Sequence, residues 1–479
     1  MSANPHGRPA TRSRTHEIDM LHGPLLGKIM AFALPLAVTS VLQQLFNSVD
    51  SAVAGQLVGN DALAGIGATG PLINLLVSLF VGLSVGANVV IASGIALKER
   101  QKLDDAVHTV MAVAIASGIV LVVLGFFVSE PALRLISTPD SIIGIGTVYL
   151  QVYFCSMPFM MLYNFGSAIL RSKGDSQRPL YALAVACFLN FALDLVFVSV
   201  LHWGVVGIAL GTVISYAAAG FIIVYLLMHE DGALRFKPRG LRIVREPLMV
   251  VLKIGVPAGV QGAVFAISNL TIQGAINGFG AEAIAGSAAG INYECFTYFI
   301  TASFAQAAVT FTSQNYAARN MQRCRRIWWI CMACSFALDI CVSAVFVAFG
   351  EFWLGLFTGN AVAISFGMIR MWNVELLECL PSTYEISAGS LRGMQWSTLP
   401  AVITIFGTCI LRVLWVFFVF PLVGTYEMLI YIFPITWIVT GVAMIVAYLL
   451  VRNRLERKED DLRKQYPSPR DAADQAQAA

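Results

Sequence analysis

The chain has 479 residues, of which 57% are hydrophobic and only 12% are charged, and its mean hydropathy is +0.74. The charged fraction is about half that of an ordinary soluble domain, which excludes one soluble core that hides all the apolar surface. The net charge is only +3 and no basic block of the nucleic-acid-binding type occurs outside loops and tails, so we expect no nucleic-acid partner.

Twelve apolar stretches follow one another along the chain, each about 20 residues or longer, as an α-helix needs to cross a bilayer. Helices are expected because lipid offers no hydrogen-bonding partner to an open strand edge. In chain order the predicted spans are 29–57, 65–97, 106–128, 142–170, 179–201, 204–228, 249–276, 285–316, 327–349, 361–391, 399–420 and 426–451.

The basic residues indicate how these spans are oriented. The first 28 residues lack a secretory signal, so we expect the amino terminus to stay in the cytoplasm. All but three of the 31 Lys and Arg residues then lie on the cytoplasmic side, in the termini, in the even-numbered connections or at the adjoining span ends; the exceptions are Arg134, Arg370 and Arg412. We therefore predict a multi-pass protein of the cell membrane with both termini in the cytoplasm.

The sequence also repeats itself. Shifts of 221 and 222 residues superimpose charged, amide and proline residues that would rarely coincide by chance. The pairs are Glu130 with Glu351, Arg171 with Arg392, Pro179 with Pro400, Pro35 with Pro257, and Asn47 with Asn269. Because each copy has six spans, an even number, both copies enter the membrane from the same side and the repeats are parallel.

We therefore predict an all-α integral membrane protein with about 12 transmembrane helices in two parallel six-helix lobes and a central cleft. The amino lobe is expected at 29–228 and the carboxyl lobe at 249–451, joined by a cytoplasmic linker at 229–248. Cytoplasmic segments at 1–28 and 452–479 flank them. By analogy of architecture, two such lobes suit a transporter that works by alternating access.

Away from the ends of the predicted spans, the spans contain seven carboxylates against two basic residues, so the interior is acidic and favours cations. The acids are Asp50, Asp194, Glu294, Asp339, Glu375, Glu378 and Glu385, and the bases are Arg370 and Arg412. Asp339 is expected to bond a neighbouring helix, as a single polar residue on a helix often does.

Four of the polar residues reach similar depths in the amino lobe. At 1.5 Å per residue, Asp194 and Thr212 lie at comparable heights on successive spans, and Asp50 also reaches the outer half. Asn190 precedes Asp194 by one helical turn, so the two share a face. Two carboxylates, a carboxamide and a hydroxyl predict an oxygen-ligand site for Na⁺ or a proton. The alternative is that each group only bonds a neighbouring helix.

Four sequence runs carry a family resemblance: FNSVDSAVAGQLVG at 46–59, ILRSKGDSQRPL at 169–180, FTSQNYAARN at 311–320 and SLRG at 390–393. In this order, and over roughly 25–450, the chain resembles the multidrug and toxic compound extrusion (MATE) family. The resemblance implies a bacterial inner-membrane exporter of organic cations and other amphipathic compounds, coupled to Na⁺ or H⁺. It also implies that the family's amino-lobe cation site falls on Asp50, Asn190, Asp194 and Thr212.

The carboxyl lobe matches the family less clearly, because the seventh span contains no acid, whereas some family members carry one there. Glu294, Glu375, Glu378 and Glu385 are candidates for substrate or coupling-ion binding. The alternative is hydrogen bonding between helices. Pro35 removes a backbone hydrogen bond from the first span and is the predicted hinge.

Two other functions stay open. A lipid-linked saccharide flippase shares the two-lobe architecture, although its pyrophosphate group would need bases in the cavity. A channel without coupled transport belongs to a different class. We expect a transporter rather than an enzyme, with amphipathic or cationic small-molecule substrates, contact with membrane lipid, no obligatory protein partner, and no cofactor or metal beyond the coupling Na⁺ or H⁺.

Overall fold

The computed structural model describes residues 17–136 and 138–465, and the secondary structure of these residues is helical, without strands. Six helical rods form the first half: α1, Leu25–Val58; α2, Asn60–Leu97; α3, Arg100–Leu135; α4, Asp140–Phe154 with Met157–Ser172; α5, Gln177–Val200; and α6, Gly204–Met228. Six form the second half: α7, Arg245–Asn277; α8, Ala281–Ala317; α9, Met321–Ala348; α10, Ala361–Asn373 with Pro381–Gly393; α11, Thr398–Val423; and α12, Tyr426–Ile430 with Ile432–Gln465. Two 3-10 turns, Gly232–Leu234 and Pro238–Gly240, occupy the linker, and a short helix, Gly350–Gly355, precedes α10.

Nine of the described helices are each long and apolar enough to cross a membrane, and the two segments of α4 together make a tenth. The other two rods, α8 and α10, carry the four glutamates predicted within the carboxyl lobe. The all-α membrane class with about 12 helices is confirmed. The limits of the terminal segments predicted at 1–28 and 452–479 lie partly outside the described residues, although α12 continues past 451 to Gln465.

Two spans that we predicted as single helices are interrupted, in addition to the one-residue break at Tyr431 in α12. α4 bends by 47° between its two segments, and Pro158 lies at the start of the second segment. α10 is broken by a 3-10 turn, Glu375–Leu377, and resumes at Pro381. Proline has no backbone N–H and its ring clashes with the preceding turn, so each proline marks the beginning of a new helical segment.

The hydrophobic cores follow the two lobes, but α1 and α7 each take part in both. The first half of α1 packs in the carboxyl-lobe core through Ile29, Phe32 and Leu36. Its second half packs in the amino-lobe core through Phe46 and Val53. α7 shows the reverse arrangement, with Val251 in the amino-lobe core and Ile272 and Ile276 in the carboxyl-lobe core. These two helices therefore physically connect the lobes.

α2 and α7 approach each other closely because glycine faces glycine. A Cβ added at Gly255 would lie 3.1 Å from Gly82 O, and one added at Gly86 would lie 2.9 Å from the Cα of Val251. Small residues at a helix crossing let the backbones pack at short range, which is the usual way that membrane helices associate. This contact joins the amino lobe to the carboxyl lobe.

Candidate functional site

Asp50, Asn190, Asp194 and Thr212 meet inside the amino lobe, where α1, α5 and α6 pack together. Thr212 Oγ1 donates a hydrogen bond of 2.8 Å to Asp50 Oδ2, and Asn190 Nδ2 lies 3.5 Å from Asp194 Oδ1. Asp194 and Asn190 lie next to the Thr212–Asp50 pair, because both face Gly211, the residue that precedes Thr212. None of the four residues is more than 3% exposed. The structure thus brings the four predicted residues together, and their role in cation binding stays a prediction.

Each aspartate of the cluster lies shortly before a wide helical turn. α1 ends in a π-helical segment, Ala54–Val58, and α5 ends in another, Val196–Val200. Such π-helical turns re-aim the side chains around them and occur frequently at functional sites. Both segments start within four residues of an aspartate of the cluster.

Gly211 is a fifth member of the site that was not among the predicted residues. A Cβ at this position would overlap Asp194 Oδ1 and would lie 3.7 Å from Asn190 Nδ2. The missing side chain therefore makes the space that the Asp194 carboxyl group occupies. The sequence offered one signal for it, its position next to Thr212 on α6.

The cluster has more acceptor oxygens than donors. In the part of the chain that the structure describes, Asp50 Oδ1, Asn190 Oδ1 and Asp194 Oδ2 are buried and form no direct hydrogen bond. Burying an unpaired carboxylate costs several kcal/mol unless a proton or a cation compensates its charge. Two neighbouring carboxyl groups in this state are chemically suited to take up a proton or a small cation.

Tyrosine and phenylalanine rings enclose the cluster. Tyr149 and Tyr153 on α4 and Tyr216 on α6 are buried in the amino-lobe core, together with Phe46 on α1. The rings of Phe46 and Tyr216 pack with their centroids 5.1 Å apart. Because these rings surround the carboxyl groups with low-dielectric material, charge interactions inside the cluster are stronger than they would be in water.

In the carboxyl lobe, Glu294 forms an ion pair instead of standing free. Arg370 donates to it through two nitrogens, with Nε 2.5 Å from Oε1 and one terminal nitrogen 2.7 Å from Oε2. A two-point contact of this kind is the strongest geometry for an arginine and a carboxylate. The charges of Glu294 and Arg370 therefore neutralise each other within the lobe.

The three other predicted glutamates lie along α10 and have different partners. Glu375 Oε1 accepts a hydrogen bond of 2.6 Å from Thr297, whereas its Oε2 is buried without a direct partner among the described residues. Glu378 Oε2 is also buried without a direct hydrogen-bond partner among the described residues. Glu385 lies 3.5 Å from the Tyr298 hydroxyl. The four carboxyl-lobe glutamates therefore do not converge on one ligand set as the amino-lobe residues do.

Asp339 holds three helices together, as expected for a packing residue. Its Oδ2 accepts hydrogen bonds from Thr301 on α8 at 2.8 Å, Ser335 on α9 at 3.1 Å and Ser382 on α10 at 2.7 Å. The hydroxyl of Ser382 also lies 2.9 Å from Thr301 Oγ1 and 2.8 Å from Ser335 Oγ. Asp339 Oδ2 and the three hydroxyl groups thus form one hydrogen-bonded cluster that joins α8, α9 and α10.

A cavity of about 390 Å³ lies next to these groups within the carboxyl lobe. Glu294, Glu378, Arg370 and Arg412 supply its charged lining. Much of the remaining lining is aromatic: Phe265, Tyr298, Tyr384, Phe433 and Trp437. The sequence pattern identified the acids but gave no indication that both buried arginines face the same cavity.

Comparisons with known proteins agree with this architecture. The family profile MatE matches the chain twice, over residues 35–196 and 257–418, one match in each lobe. The chain is similar to "Probable multidrug resistance protein YoeA" of Bacillus subtilis, with 27% identity over 386 residues that cover 78% of the chain and 82% of that relative. It is similar to "Multidrug export protein MepA" of Staphylococcus saprophyticus, with 24% identity over 352 residues, 73% of the chain and 78% of the relative.

Among solved structures, the chain resembles one described as the outward-facing conformation of a multidrug resistance MATE family transporter of the MOP superfamily. The TM-score is 0.85 at 20% identity, and the superposition covers 93% of this chain and all of the other. At this level of identity the likeness establishes the fold of the two lobes.

Proposed function

Because the chain belongs to the MATE family of multidrug efflux transporters, we propose that it exports amphipathic or cationic compounds in exchange for Na⁺ or H⁺. The transport cycle is alternating access of the two lobes, powered by the cation gradient and without a cofactor. The protein resides in the bacterial cytoplasmic membrane with both termini in the cytoplasm.

One observation carries the proposal: the cluster of Asp50, Asn190, Asp194 and Thr212, with two buried carboxyl groups side by side and three oxygens that form no direct hydrogen bond. A cation gradient can drive a conformational change only if the cation binds one conformation better than another. Two adjacent carboxylates repel each other when ionised and lose that repulsion when a proton or Na⁺ binds. Cation binding therefore favours the conformation in which α1 and α5 are close.

α1 transmits this change between the lobes. Asp50 lies in the half of α1 that packs in the amino lobe, whereas Ile29 and Phe32 anchor the other half in the carboxyl lobe. Pro35 lies near the point where α1 passes from the carboxyl-lobe core to the amino-lobe core. Because proline has no N–H, Ala31 O lacks its intrahelical hydrogen-bond partner. A shift of α1 against α5 therefore alters the contact between the lobes, with Pro35 as the hinge.

The substrate class follows from the same charges. The amino-lobe carboxyl groups have no basic partner within ion-pair distance among the described residues, so a cationic compound and the coupling ion compete for the same negative field. Binding of the cation in the outward-open state then promotes release of the substrate.

Purified protein in lipid vesicles, with Na⁺ and pH gradients imposed independently, tests the proposal. We expect a fluorescent organic cation to accumulate against its own gradient when one of the two cation gradients is present and to stop when that gradient is collapsed. Movement of the dye only down its own gradient would identify a channel and contradict the proposal. Preferential binding of an anionic pyrophosphate lipid carrier over the cation would favour a flippase instead.

A further inference from the structure

A short segment before α1, residues 17–24, lies at the end of the bundle where the two lobes touch. We call this segment the strap; it has no regular secondary structure. At the same end, Gln314 Nε2 on α8 donates a hydrogen bond of 2.6 Å to Ser172 O at the end of α4. The lobes are therefore in direct contact at this end, which we assign to the cytoplasm.

The strap is held firmly by the carboxyl lobe. The Met20 side chain is 1% exposed and packs in the carboxyl-lobe core. Met20 O accepts hydrogen bonds of 3.1 Å from Asn315 Nδ2 on α8 and from Arg323 Nε on α9. The two terminal nitrogens of Arg323 donate to His22 O and Gly23 O, each over 3.0 Å. One buried side chain and four hydrogen bonds thus fix the strap to this lobe.

The strap also touches the amino lobe, at the turn between α4 and α5. Lys173 Nζ lies 2.8 Å from Glu17 Oε1, and Glu17 is about half-exposed. The backbone of Ile18 lies directly against Gly174, where an added Cβ would be 2.5 Å from Ile18 O and 2.8 Å from Ile18 N. Because an ion pair with an exposed partner contributes little, this contact is weaker than the one with the carboxyl lobe.

The internal repeat shows that the turn itself accepts a side chain where Gly174 has none. A shift of 221 residues pairs Gly174 with Gln395. Both have a positive φ, 97° and 66°, and their N–H groups donate over 2.9 Å to the carbonyl oxygens of the equivalent residues Arg171 and Arg392. The carboxyl-lobe copy of the turn thus carries a glutamine at the same position. The missing side chain at Gly174 instead makes the space that the strap backbone occupies.

The strap and the start of α1 belong mechanically to the carboxyl lobe. The first half of α1 packs in the carboxyl-lobe core through Ile29 and Phe32, and the strap leads into it. If the lobes separate at this end, the weaker contact breaks first. The strap then stays on Arg323 and leaves Lys173 and Gly174.

We propose that the strap is a latch that holds the cytoplasmic ends of the two lobes together, and that it must leave the turn at Lys173 and Gly174 before this side can open. The inference rests on the proposed function, because alternating access requires the lobes to separate at this end. It adds a specific contact that biases the equilibrium between the two conformations.

The separation of the lobes can be measured with two spin labels. Gln101 at the start of α3 and Gln322 at the start of α9 are exposed and occupy equivalent positions in the two repeats. Each is replaced with Cys in the full-length protein after its nine native cysteines have been replaced. Double electron–electron resonance in lipid nanodiscs then gives the ratio of long to short distances, which is the ratio of open to closed cytoplasmic sides.

Gly174→Ala places a methyl group against the strap backbone. We expect the ratio of open to closed molecules to rise at least about fivefold, the lower end of the usual range for conformational coupling. Gly232→Ala is the matched control, because Gly232 also has a positive φ, 69°, but a Cβ there meets no atom within 4 Å. The control should keep the wild-type ratio. Equal ratios for the two variants would overturn the inference.

Two further substitutions test the latch without crowding it. Glu17→Gln removes the ion pair at a half-exposed position, so the fold should be retained, and we expect a smaller shift in the same direction. Arg323→Gln releases the other end of the strap. Because a latch works only when both ends are attached, Gly174→Ala should add less than about twofold in the Arg323→Gln protein. Full additivity of the two substitutions would contradict a latch.

The two proposals fail in different ways. If vesicles export a fluorescent organic cation but Gly174→Ala keeps the distances of Gly232→Ala, the strap inference is wrong and the export function stands. If no cation gradient moves the dye, the export function is wrong. The distances then still decide whether the strap holds the lobes together, because they are measured without a gradient.

Discussion

Thr212 Oγ1 donates a hydrogen bond of 2.8 Å to Asp50 Oδ2 and so joins α6 to α1 at the centre of the amino lobe. The same hydroxyl lies 3.2 Å from Ile208 O, one turn earlier on α6, which fixes its position. A hydrogen bond to a charged group contributes about 1.5 to 3 kcal/mol, enough to set the affinity of the carboxyl group for its cation.

Replacing Thr212 with Val removes this hydroxyl at almost constant volume, and Thr212→Ser keeps it. If Na⁺ is the coupling ion, Thr212→Val loses an oxygen ligand, and we expect the half-saturating Na⁺ concentration to rise about tenfold. If H⁺ is the coupling ion, the ionised Asp50 loses a donor, and transport should be half-maximal at about tenfold lower H⁺ concentration. Vesicle transport measured over a range of Na⁺ concentrations and pH values gives both half-saturating concentrations. If Thr212→Val has the same cation dependence as the wild type, the role of the Thr212 hydroxyl in cation binding is contradicted.

Gly211 offers a test of the geometry of the cluster without a change of charge. Gly211→Ala places a methyl group against Asp194 Oδ1, so we expect loss of cation-driven transport by at least about tenfold. Gly67→Ala on α2 is the matched control, because a Cβ there meets no atom within 4 Å. Equal transport by the two variants would show that the carboxyl group of Asp194 does not need its observed position.

Pro35 tests the hinge in α1. Pro35→Ala restores a backbone N–H at a position inside a membrane helix, so we expect the thermal stability of the protein to stay equal or increase while the transport rate falls. The opposite changes in stability and turnover separate a hinge from a merely structural proline. Thermal unfolding in detergent and vesicle transport measure the two quantities, and a stable variant with the wild-type transport rate would reject the hinge.

Glu230 forms an ion-pair network just after α6, in the linker to α7. Lys173 Nζ lies 2.6 Å from its Oε2 and 2.8 Å from Glu17 Oε1, and Arg178 lies 2.6 Å from its Oε1. Burial by itself would raise the pKa of Glu230, but the hydrogen bonds and charges of Lys173 and Arg178 together bring the pKa below its ordinary value. The folded state is therefore stabilised when Glu230 is ionised.

The pKa of Glu230 sets the sign of its pH dependence. The pKa of Glu230 is lower in the folded state than in the unfolded state. Ionised Glu230 therefore stabilises the fold fully above the ordinary glutamate pKa of about 4.3, and this stabilisation is lost as the pH falls from that value through the folded-state pKa. We expect Glu230→Gln to lower the free energy of unfolding at pH 7 by about 2 kcal/mol, because Lys173 and Arg178 lose the carboxylate that they share and keep only Glu17 and Asp175. Glu99→Gln, which breaks the exposed pair with Lys102, should change it by less than about 1 kcal/mol. Thermal unfolding at pH 7 and pH 4 measures both; a wild-type unfolding midpoint for Glu230→Gln at pH 7 would contradict the role of the network.

Much of this architecture could be predicted because it depends on local properties. Apolar length identifies the helices, the pairing of Pro35 with Pro257 reveals the duplication, and the four-residue spacing of Asn190 and Asp194 puts them on one face. Helix rise then brings Asp50 to the same depth, since depth depends only on distance along the chain.

The remainder depends on contacts between distant parts of the chain. α1 and α7 each pack in both lobe cores, and the sequence does not reveal this. A helix that faces lipid and a helix that crosses between lobes are equally apolar, so their sequence patterns do not differ. Gly211 is needed only because the Asp194 carboxyl group points at it. Arg370 and Arg412 were known as intramembrane bases, but their different partners, Glu294 for one and neutral groups for the other, required the packing of α7, α8, α10, α11 and α12.

The central claim is that Asp50 couples the cation gradient to export, and Asp50→Asn in vesicles tests it most directly. The amide keeps the size of the side chain and removes its negative charge. Asp61→Asn, at an exposed carboxylate near the start of α2, is the matched control. We predict that Asp50→Asn still binds a fluorescent organic cation but accumulates it at less than about a tenth of the wild-type level under a cation gradient, while Asp61→Asn behaves as the wild type. Undiminished gradient-driven accumulation by Asp50→Asn would contradict the account.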